Sequence, residues 1–549
     1  MLTLDTPLTS LGLAASQWPS NAIFKTPIID NLKNPIAPHI VGYDTVTYSE
    51  FQIYVEASAR YWYAKLSEDG IPSSSRGVTY LDYVRIYGLL KAGYIPQTFN
   101  RFPQLADVIP ALLEKSGAKA LLYEVGYRDS VKRLMVPGLK IYPTSSTTQD
   151  LPTTHLSEAL PDCHKPQPTD IMYIIHSSGT TSGMPKLVPY TPRLVNSILR
   201  KVAISTRPPP GTGRSPDVIS WAGSTCHISV FSHLINVMHH GYCIVQPTSF
   251  PPPVEEFKSM LRLAGLNRAR IHSPRLSRIF EASRTDSELL DQLKTLKSIT
   301  HGGASLMSDD LEWGKLNKLN LVEIYGSTEC GLLLMIAEAN EVGTTEHGYL
   351  CPVIPLMEDG TPLTRYRFEP VTESDGSLVL KELVILQGSA DLPHPSLLGG
   401  QENFRTGDLF EEIKPGEYIH RGRIDDWIKM ANAAKYDARS IEDDAKALCR
   451  DLELFSDCLA AGSNQPSPVL VVEASVADPD EEKRLKQDIF KRIVDSDSHK
   501  KRFPHERIAS EDAIIIVPPG SMTRTMAKGN IRRKAVEEAL GDRIRAVFP

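Results

Sequence analysis

Nothing in this 549-residue chain approaches the ~18–20 consecutive apolar residues that a membrane-spanning helix needs. No two cysteines form a CxxC pair. Cys163, Cys226, Cys243, Cys330, Cys351, Cys449 and Cys458 are scattered and odd in number, the pattern of reduced structural thiols and not of a zinc site or disulfide framework. A bias toward one charge is missing as well. With 60 Lys and Arg against 66 Asp and Glu, the net charge of −6 offers no basic footprint for nucleic acid. The first basic residue is Lys25, so the start lacks the charged head of a secretory signal, and the final RAVFP carries no peroxisomal or prenylation signal. Internal repeats are lacking too. These absences lead us to expect a soluble, cytoplasmic protein with no nucleic-acid or membrane partner.

What is present is ordinary globular material, 41% apolar and 23% charged. One core stops growing near ~250–300 residues, so two or three domains are expected. Helical and strand patterns alternate, which predicts α/β layering. Residues 49–70 place Phe51, Tyr54, Val55, Ala59, Trp62 and Leu66 at steps of three or four, a helix that Ser49 and Gln52 would cap and Gly70 would stop. A second helix is predicted from Leu81 to Lys91, ending at Gly93. VISWAGSTCHISV (218–230) reads as β-like, SLVLKELVIL (377–386) as an antiparallel strand pair, and LNLVEIYGSTECG (319–331) as a buried strand ending in a loop. Near residues 415–425 the composition turns charged and helix-rich, and the run at 480–502 reads as a solvated helix face.

The stretch IIHSSGTTSGMPKLV (174–188) concentrates hydroxyls and glycines before a lysine. Donors that wrap an anion, glycines that allow close backbone approach and a cation are what polyphosphate requires. It is not a Walker loop, because Met184 and Pro185 stand between the last glycine and Lys186. By itself the stretch fits a polar surface turn equally well.

Six further segments carry a resemblance. SSGTTSGMPK resembles the phosphate-loop signature of the adenylate-forming superfamily: acyl-CoA synthetases, luciferases and nonribosomal-peptide-synthetase adenylation domains. LLKAGYIPQTFN, HGGASL (301–306), EIYGSTECG (323–331), FRTGDLF (404–410), RGRIDDWIKM (421–430) and TRTMAKGNIRR (523–533) resemble that superfamily's later motifs, in its order. GRIDDWIKM and KGNIRR are most similar to fungal synthetase-like and carboxylate-reductase-like enzymes. The resemblance spans nearly the whole chain. It implies a large α/β N-terminal adenylate-forming domain of layered subdomains with a small β-barrel-like part, residues 1–422, and a small mobile α+β C-terminal lid, residues 423–549, hinged near Asp425.

The activity implied is ATP-dependent joining of a carboxylic acid to AMP with release of pyrophosphate. Ser177, Ser178, Gly179, Thr180, Thr181 and Lys186 would then hold the nucleotide's phosphates, and Glu329 would ligate Mg²⁺, a hard cation suited to carboxylate oxygen. Thr328 would bond the α-phosphate. Tyr325 would stack on adenine, near Gly302, Gly303 and Gly326. Asp408 would accept from the ribose hydroxyls, and Arg423 would add a contact there. Lys528 would be the mobile catalytic cation bridging carboxylate and α-phosphate. His227 either lines the carboxylate pocket or is a satisfied core histidine.

Between Ile219 and Tyr242 there is no acidic residue. A buried ammonium without an anion is costly, which favours an aryl, keto or aliphatic acid over an α-amino acid. The acyl group would pass to a thiol, coenzyme A or the phosphopantetheine of a separate carrier protein. Ala433 stands where the family shows a glycine, which bears on that second step. No carrier-domain serine motif follows Lys528, an arrangement expected of a free-standing or excised adenylation unit. The alternatives are an excised synthetase domain that activates an amino acid, a nucleotide-binding relative that does not turn over, and a luciferase-like oxidase. Ser182 is one residue more than the family's phosphate loop carries, and we expect a loop over phosphates to absorb it at small entropic cost.

Overall fold

The strand patterns gather into one broad mixed sheet. The computed structural model describes the chain outside residues 1–5, 31–38, 68–73, 76–78, 100–104, 135, 145–159, 161–165, 178–184, 206–215, 222, 337–347, 358, 372–378, 433–434, 526–529 and 549. Among the described residues that sheet has 13 strands, and no helix is long and apolar enough to cross a membrane.

The first predicted helix is α1, Tyr48–Ser67, and it buries Phe51, Val55, Ala59, Trp62 and Leu66 as its spacing requires. Its cap differs from the one expected. The Thr47 amide donates to Glu50 Oε2 at 2.8 Å and the Glu50 amide donates to Thr47 Oγ1 at 3.2 Å, so the box is Thr47–Glu50 and not Ser49–Gln52. Thr47 ends a strand, Ile40–Thr47, and extended backbone is what an N-cap needs. Gly70 lies outside the described residues. Helix α2, Tyr80–Lys91, agrees with the prediction, and Gly93 follows at φ +85°.

Strands β1 (Tyr173–His176) and β2 (Leu187–Tyr190) form an antiparallel hairpin. Only Val218–Ser220 of the β-like segment is a strand, β3; from Ile228 to His240 the chain is helix α3. Val230 to Met238 are all buried, and a helix buried on every side shows no amphipathic period to tell it from a strand.

Four neighbouring strands then carry the centre of the sheet: β4 (Arg268–His272), β5 (Ser298–Gly302), β6 (Leu321–Ser327) and β7 (Gly331–Ile336). From β3 through β6 the pairing is parallel, and β6–β7 is an antiparallel hairpin. The expected strand pair at 377–386 is one strand, Leu380–Ile385, paired on both sides. It is too short to hold two strands and a turn. Beyond it, β8 (Phe404–Lys414) and β9 (Glu417–Arg423) pair antiparallel.

After Arg423 the chain builds helix α4 (Ala438–Leu448), strands β10 (Phe455–Ala461) and β11 (Val469–Ala474), helix α5 (Pro479–Asp495) and strand β12 (Ile514–Val517). The three strands form their own sheet. Two apolar clusters here consist entirely of residues beyond 427. Helix α5 buries Leu485, Ile489 and Ile493 and turns its charged residues outward, the solvated face expected of that run.

The architecture is α/β, with a large sheet and a C-terminal domain, as the sequence led us to expect.

Candidate active site

Parallel strands present their carboxyl ends to a common crevice, where ligands of α/β sheets bind. Here β4, β5 and β6 do so with His272, Gly302 and Ser327. Gly302 pairs with Ile324, and a side chain there would come within 2.4 Å of the Ile324 carbonyl oxygen, so only glycine fits. Gly303 follows at φ +79°, a left-handed backbone that glycine adopts without strain. Gly326 sits at a bulge opposite Leu332.

Tyr325 leaves β6 on the face opposite Ile324. Its ring meets Phe410 edge-on at 5.0 Å and lies at 33° to His420, 5.2 Å away. Burial pushes the Tyr325 hydroxyl well above its ordinary pKa, with Asp408 adding to the shift, so it stays protonated. Asp408 is 8% exposed and holds three fixed bonds. Its amide donates to Thr406 Oγ1 at 3.1 Å, Oδ1 lies 3.2 Å from His420 Nε2, and Oδ2 accepts from Arg423 Nη1 at 3.2 Å. Arg423 also donates to the Thr406 carbonyl at 3.2 Å.

His420 was absent from the sequence reading. Along an ideal strand, residues 420 and 423 point to opposite faces. The ladder pairs Asp408 with Arg423 and Phe410 with His420, so a bulge between them turns both side chains onto Asp408. Alternation read from the sequence could not have found it, and the adjacent motif gave no other sign.

Thr328 and Glu329 occupy the turn between β6 and β7. The Thr328 carbonyl accepts the hydroxyl of buried Tyr190 at 2.5 Å, which joins this turn to the end of β2. Burial pushes the Glu329 carboxyl above its ordinary range; Arg423 and Lys186 oppose that shift and Asp408 adds to it. Lys186 precedes β2. The Ser177 amide donates to the Lys186 carbonyl at 2.9 Å, closing the base of the phosphate-loop candidate. Ser178, Gly179, Thr180, Thr181 and Ser182 lie outside the described residues.

His227 is the residue before α3, half-buried, with its carbonyl accepting the Val230 amide at 3.0 Å. It faces the same cleft as Ser177, Lys186, Gly302, Gly303, Tyr325, Gly326, Thr328, Glu329, Asp408 and Arg423, a space of about 2860 Å³. Residues from the C-terminal sheet line its other side, including Arg524, Asn530 and Arg533.

Lys528 itself lies outside the described residues, as does Ala433. The segment bearing Lys528 is anchored on both flanks. The Thr525 amide donates to the Asn530 carbonyl at 2.7 Å, and the Asn530 amide donates to Thr525 Oγ1 at 3.1 Å. Arg524 pairs with Asp457 at 2.9 Å and Glu473 at 2.6 Å. Arg533 donates to Glu442 Oε1 at 2.5 Å and lies 3.3 Å from Asp426, whose other oxygen accepts the Arg423 amide at 3.4 Å. Arg524 and Arg533, on either side of Lys528, therefore form internal ion pairs and are not a bare basic surface, a point their spacing in the sequence could not show.

A model of the AMP-binding enzyme family matches residues 31–355, and a model of the AMP-binding enzyme C-terminal domain matches residues 425–549. The AMP-binding domain-containing enzyme iboA of Amanita muscaria (strain Koide BX008) is 29% identical over 542 residues, 95% of this chain and 99% of that protein. An adenylate-forming reductase of Heterobasidion annosum is 22% identical over 92% of this chain, which spans only 47% of that protein's length. Among solved structures, the A domain of carboxylic acid reductase from Segniliparus rugosus, in complex with AMP and a co-purified carboxylic acid, superposes with a TM-score of 0.72 at 14% identity, covering 98% of this chain and 93% of that one. The o-succinylbenzoate CoA synthetase of Bacillus subtilis, in complex with ATP and magnesium ion, does so at 0.66 and 15% identity, covering 96% and 99%. At such identities the likeness is one of fold.

Proposed function

The chain belongs to the AMP-binding enzyme family, and from that membership we propose that it activates a carboxylic acid as its acyl adenylate. A carboxylate oxygen of the acid attacks the α-phosphorus of ATP, the bond from that phosphorus to the bridging oxygen breaks, and pyrophosphate leaves with the electron pair. The observation that carries this reading is convergence. Lys186, the Thr328–Glu329 turn, Asp408 and Arg423 come from four separate segments and face one cleft, alongside the carboxyl ends of the parallel strands.

The reaction asks mainly for electrostatics, because two anions must meet while charge moves to the leaving group. Lys186 and the loop it closes hold the terminal phosphates. Asp408, fixed by His420 and Arg423, receives the ribose hydroxyls, and Tyr325 offers its ring to the base. Lys528, which lies in the sequence between the hydrogen-bonded Thr525 and Asn530, bridges the carboxylate and the α-phosphate. His227 stands at the mouth of α3, where the acid enters.

Among the described residues no cluster of His, Cys, Asp and Glu could hold a metal unaided. Glu329 would hold a magnesium ion, since burial raises its carboxyl and a bound cation would relieve that cost. When bound, the ion supplies a Lewis acid that offsets charge on the departing phosphates.

We place the domain boundary at Arg423, with 1–422 as the adenylation core and 423–549 as a lid that turns about Asp425. The acyl group then passes to coenzyme A or a carrier-protein phosphopantetheine. The acid is aryl, keto or aliphatic: the cleft-lining residues between 219 and 242, namely Gly223, Ser224, His227, Ile228, Ser229 and Ser232, include no carboxylate for an ammonium.

Acid-dependent exchange of pyrophosphate into ATP tests the reading, with hydroxamate trapping of the adenylate. We expect exchange with at least one acid and its loss in Lys528→Ala. No adenylate with any acid, together with an unchanged Lys528→Ala, would refute it.

A further inference from the structure

Arg268 and Arg270 stand two residues apart on β4 and so leave the strand on one face, toward α3. Their surroundings differ. Arg268 is neutralised: its Nε donates to Asp217 Oδ2 at 2.5 Å and its Nη1 to Ser298 Oγ at 3.1 Å. Arg270, one step nearer the cleft, has no ion pair and no side-chain hydrogen bond among the described residues. Burial alone draws its pKa down to about 10, so the guanidinium is still charged at neutral pH. The side chain is half-buried and borders the main cleft, and no anion among the described residues offsets its charge.

A small cavity of about 30 Å³ lies against this guanidinium, room for a water-sized group. It shares Arg270, Thr300, Ile324 and Leu332 with the main cleft, and is therefore the floor of that cleft. His233 of α3 also lines it, only 1% exposed, with neither ring nitrogen hydrogen-bonded. Burial, helped by the charge of Arg270, holds that imidazole neutral. Two polar side chains thus await partners in one place, one a fixed cation and the other able both to donate and to accept.

The nucleotide is not the missing partner. Val322 and Ile324 line the cavity, whereas Glu323 and Tyr325 alternate to the other face of β6, where Tyr325 meets His420 beside Asp408. Arg270 sits on the opposite side of the sheet from the ribose and base contacts and lines the same cleft as His227, Gly302 and Gly303.

We infer that the acid carries a second anionic group, which enters the floor of the cleft and pairs with Arg270 while His233 hydrogen-bonds to it. The inference rests on the adenylation reading of the cleft and narrows it to small dianionic acids.

Matched pairs of acids test it by pyrophosphate exchange: succinate with butyrate, glutarate with valerate, adipate with hexanoate. Wild type should prefer the diacid of at least one pair. Arg270→Met should raise the KM for that diacid about 100-fold, the loss expected when a desolvated charge pair is broken, and leave the KM for ATP within about threefold. Arg270→Lys, which keeps the charge and guards against misfolding, should recover part of the loss. A preference for the monoacid in every pair, or equal diacid use by wild type and Arg270→Met, overturns the inference. The adenylation reading fails separately, if no acid drives exchange. In that event calorimetric titration with glutarate decides: binding by wild type that Arg270→Met abolishes keeps the anion site, and binding that is absent in wild type or unchanged in the variant removes it.

Discussion

Asp408 and Arg423 face each other as partners across the β8–β9 ladder, and the guanidinium Nη1 stands 3.2 Å from the carboxylate Oδ2. The pair is fixed further by His420 on the other carboxylate oxygen. In the proposed function, a carboxylate held this way would meet the ribose diol already oriented, leaving little ordering to be done on binding.

Asp408→Asn keeps the shape and one acceptor but loses the charge. Hydrogen bonds to a charged group contribute about 1.5–3 kcal/mol, so the KM for ATP should rise roughly 10- to 100-fold. Thermal unfolding should move little, since Asn still accepts from Arg423. An unchanged KM for ATP would remove Asp408 from the nucleotide site.

Glu329→Gln separates catalysis from stability. Exchange should fall about 10²–10³-fold, the scale of losing one preorganised electrostatic contact. Stability should not fall with it. A carboxyl whose folded pKa is raised binds protons more tightly folded than unfolded, so its contribution declines as pH rises above the ordinary carboxylate value. The variant should therefore show a flatter pH dependence in urea titrations above pH ~4.5 and a midpoint at neutral pH no lower than wild type. A clear drop in that midpoint would assign Glu329 a structural role.

His301 titrates in the other direction. It is 2% exposed, and burial lowers its pKa from 6.5 to about 4. The folded state then binds fewer protons than the unfolded one between those values. The associated stability is complete above pH 6.5 and is lost progressively as pH falls toward 4, on the order of 3 kcal/mol in all. His301→Gln should flatten the acid limb of a pH series of urea unfolding curves. Superimposable limbs would contradict the assignment.

The C-terminal segment has its own core, and residues 423–549 expressed alone should unfold cooperatively in urea. A broad, non-cooperative transition with lost near-ultraviolet dichroism would show that the large sheet is required for its folding.

How much of this was legible in the sequence varied with the kind of signal. The order of the motifs along the chain pointed to Tyr325, Glu329 and Asp408, and the fold brings these three to one cleft. Strand α3-versus-β judgements failed where burial on all sides erased periodicity, as at Val230–Met238. The cap of α1 was misplaced by two residues because Ser49 and Thr47 both satisfy the same box, and only the end of the preceding strand chooses between them. His420 required a bulge, and Arg270 required knowing that Asp217 reaches Arg268 and not its neighbour. Such facts depend on register between distant segments, which a single sequence does not contain.

The bond from the Ser177 amide to the Lys186 carbonyl has an evolutionary consequence. It acts as a clasp: whatever number of residues is threaded between its two ends, the ends leave the hairpin at the same place and in the same direction. Length can then drift within the clasp while Lys186 keeps its station beside Glu329. An extra residue such as Ser182 is the kind of change that this arrangement lets a lineage try, and its deletion should slow exchange less than about tenfold, the small cost of altering a loop by one residue. Opening the clasp itself, by a proline at position 177, should be far more damaging than any single change inside it.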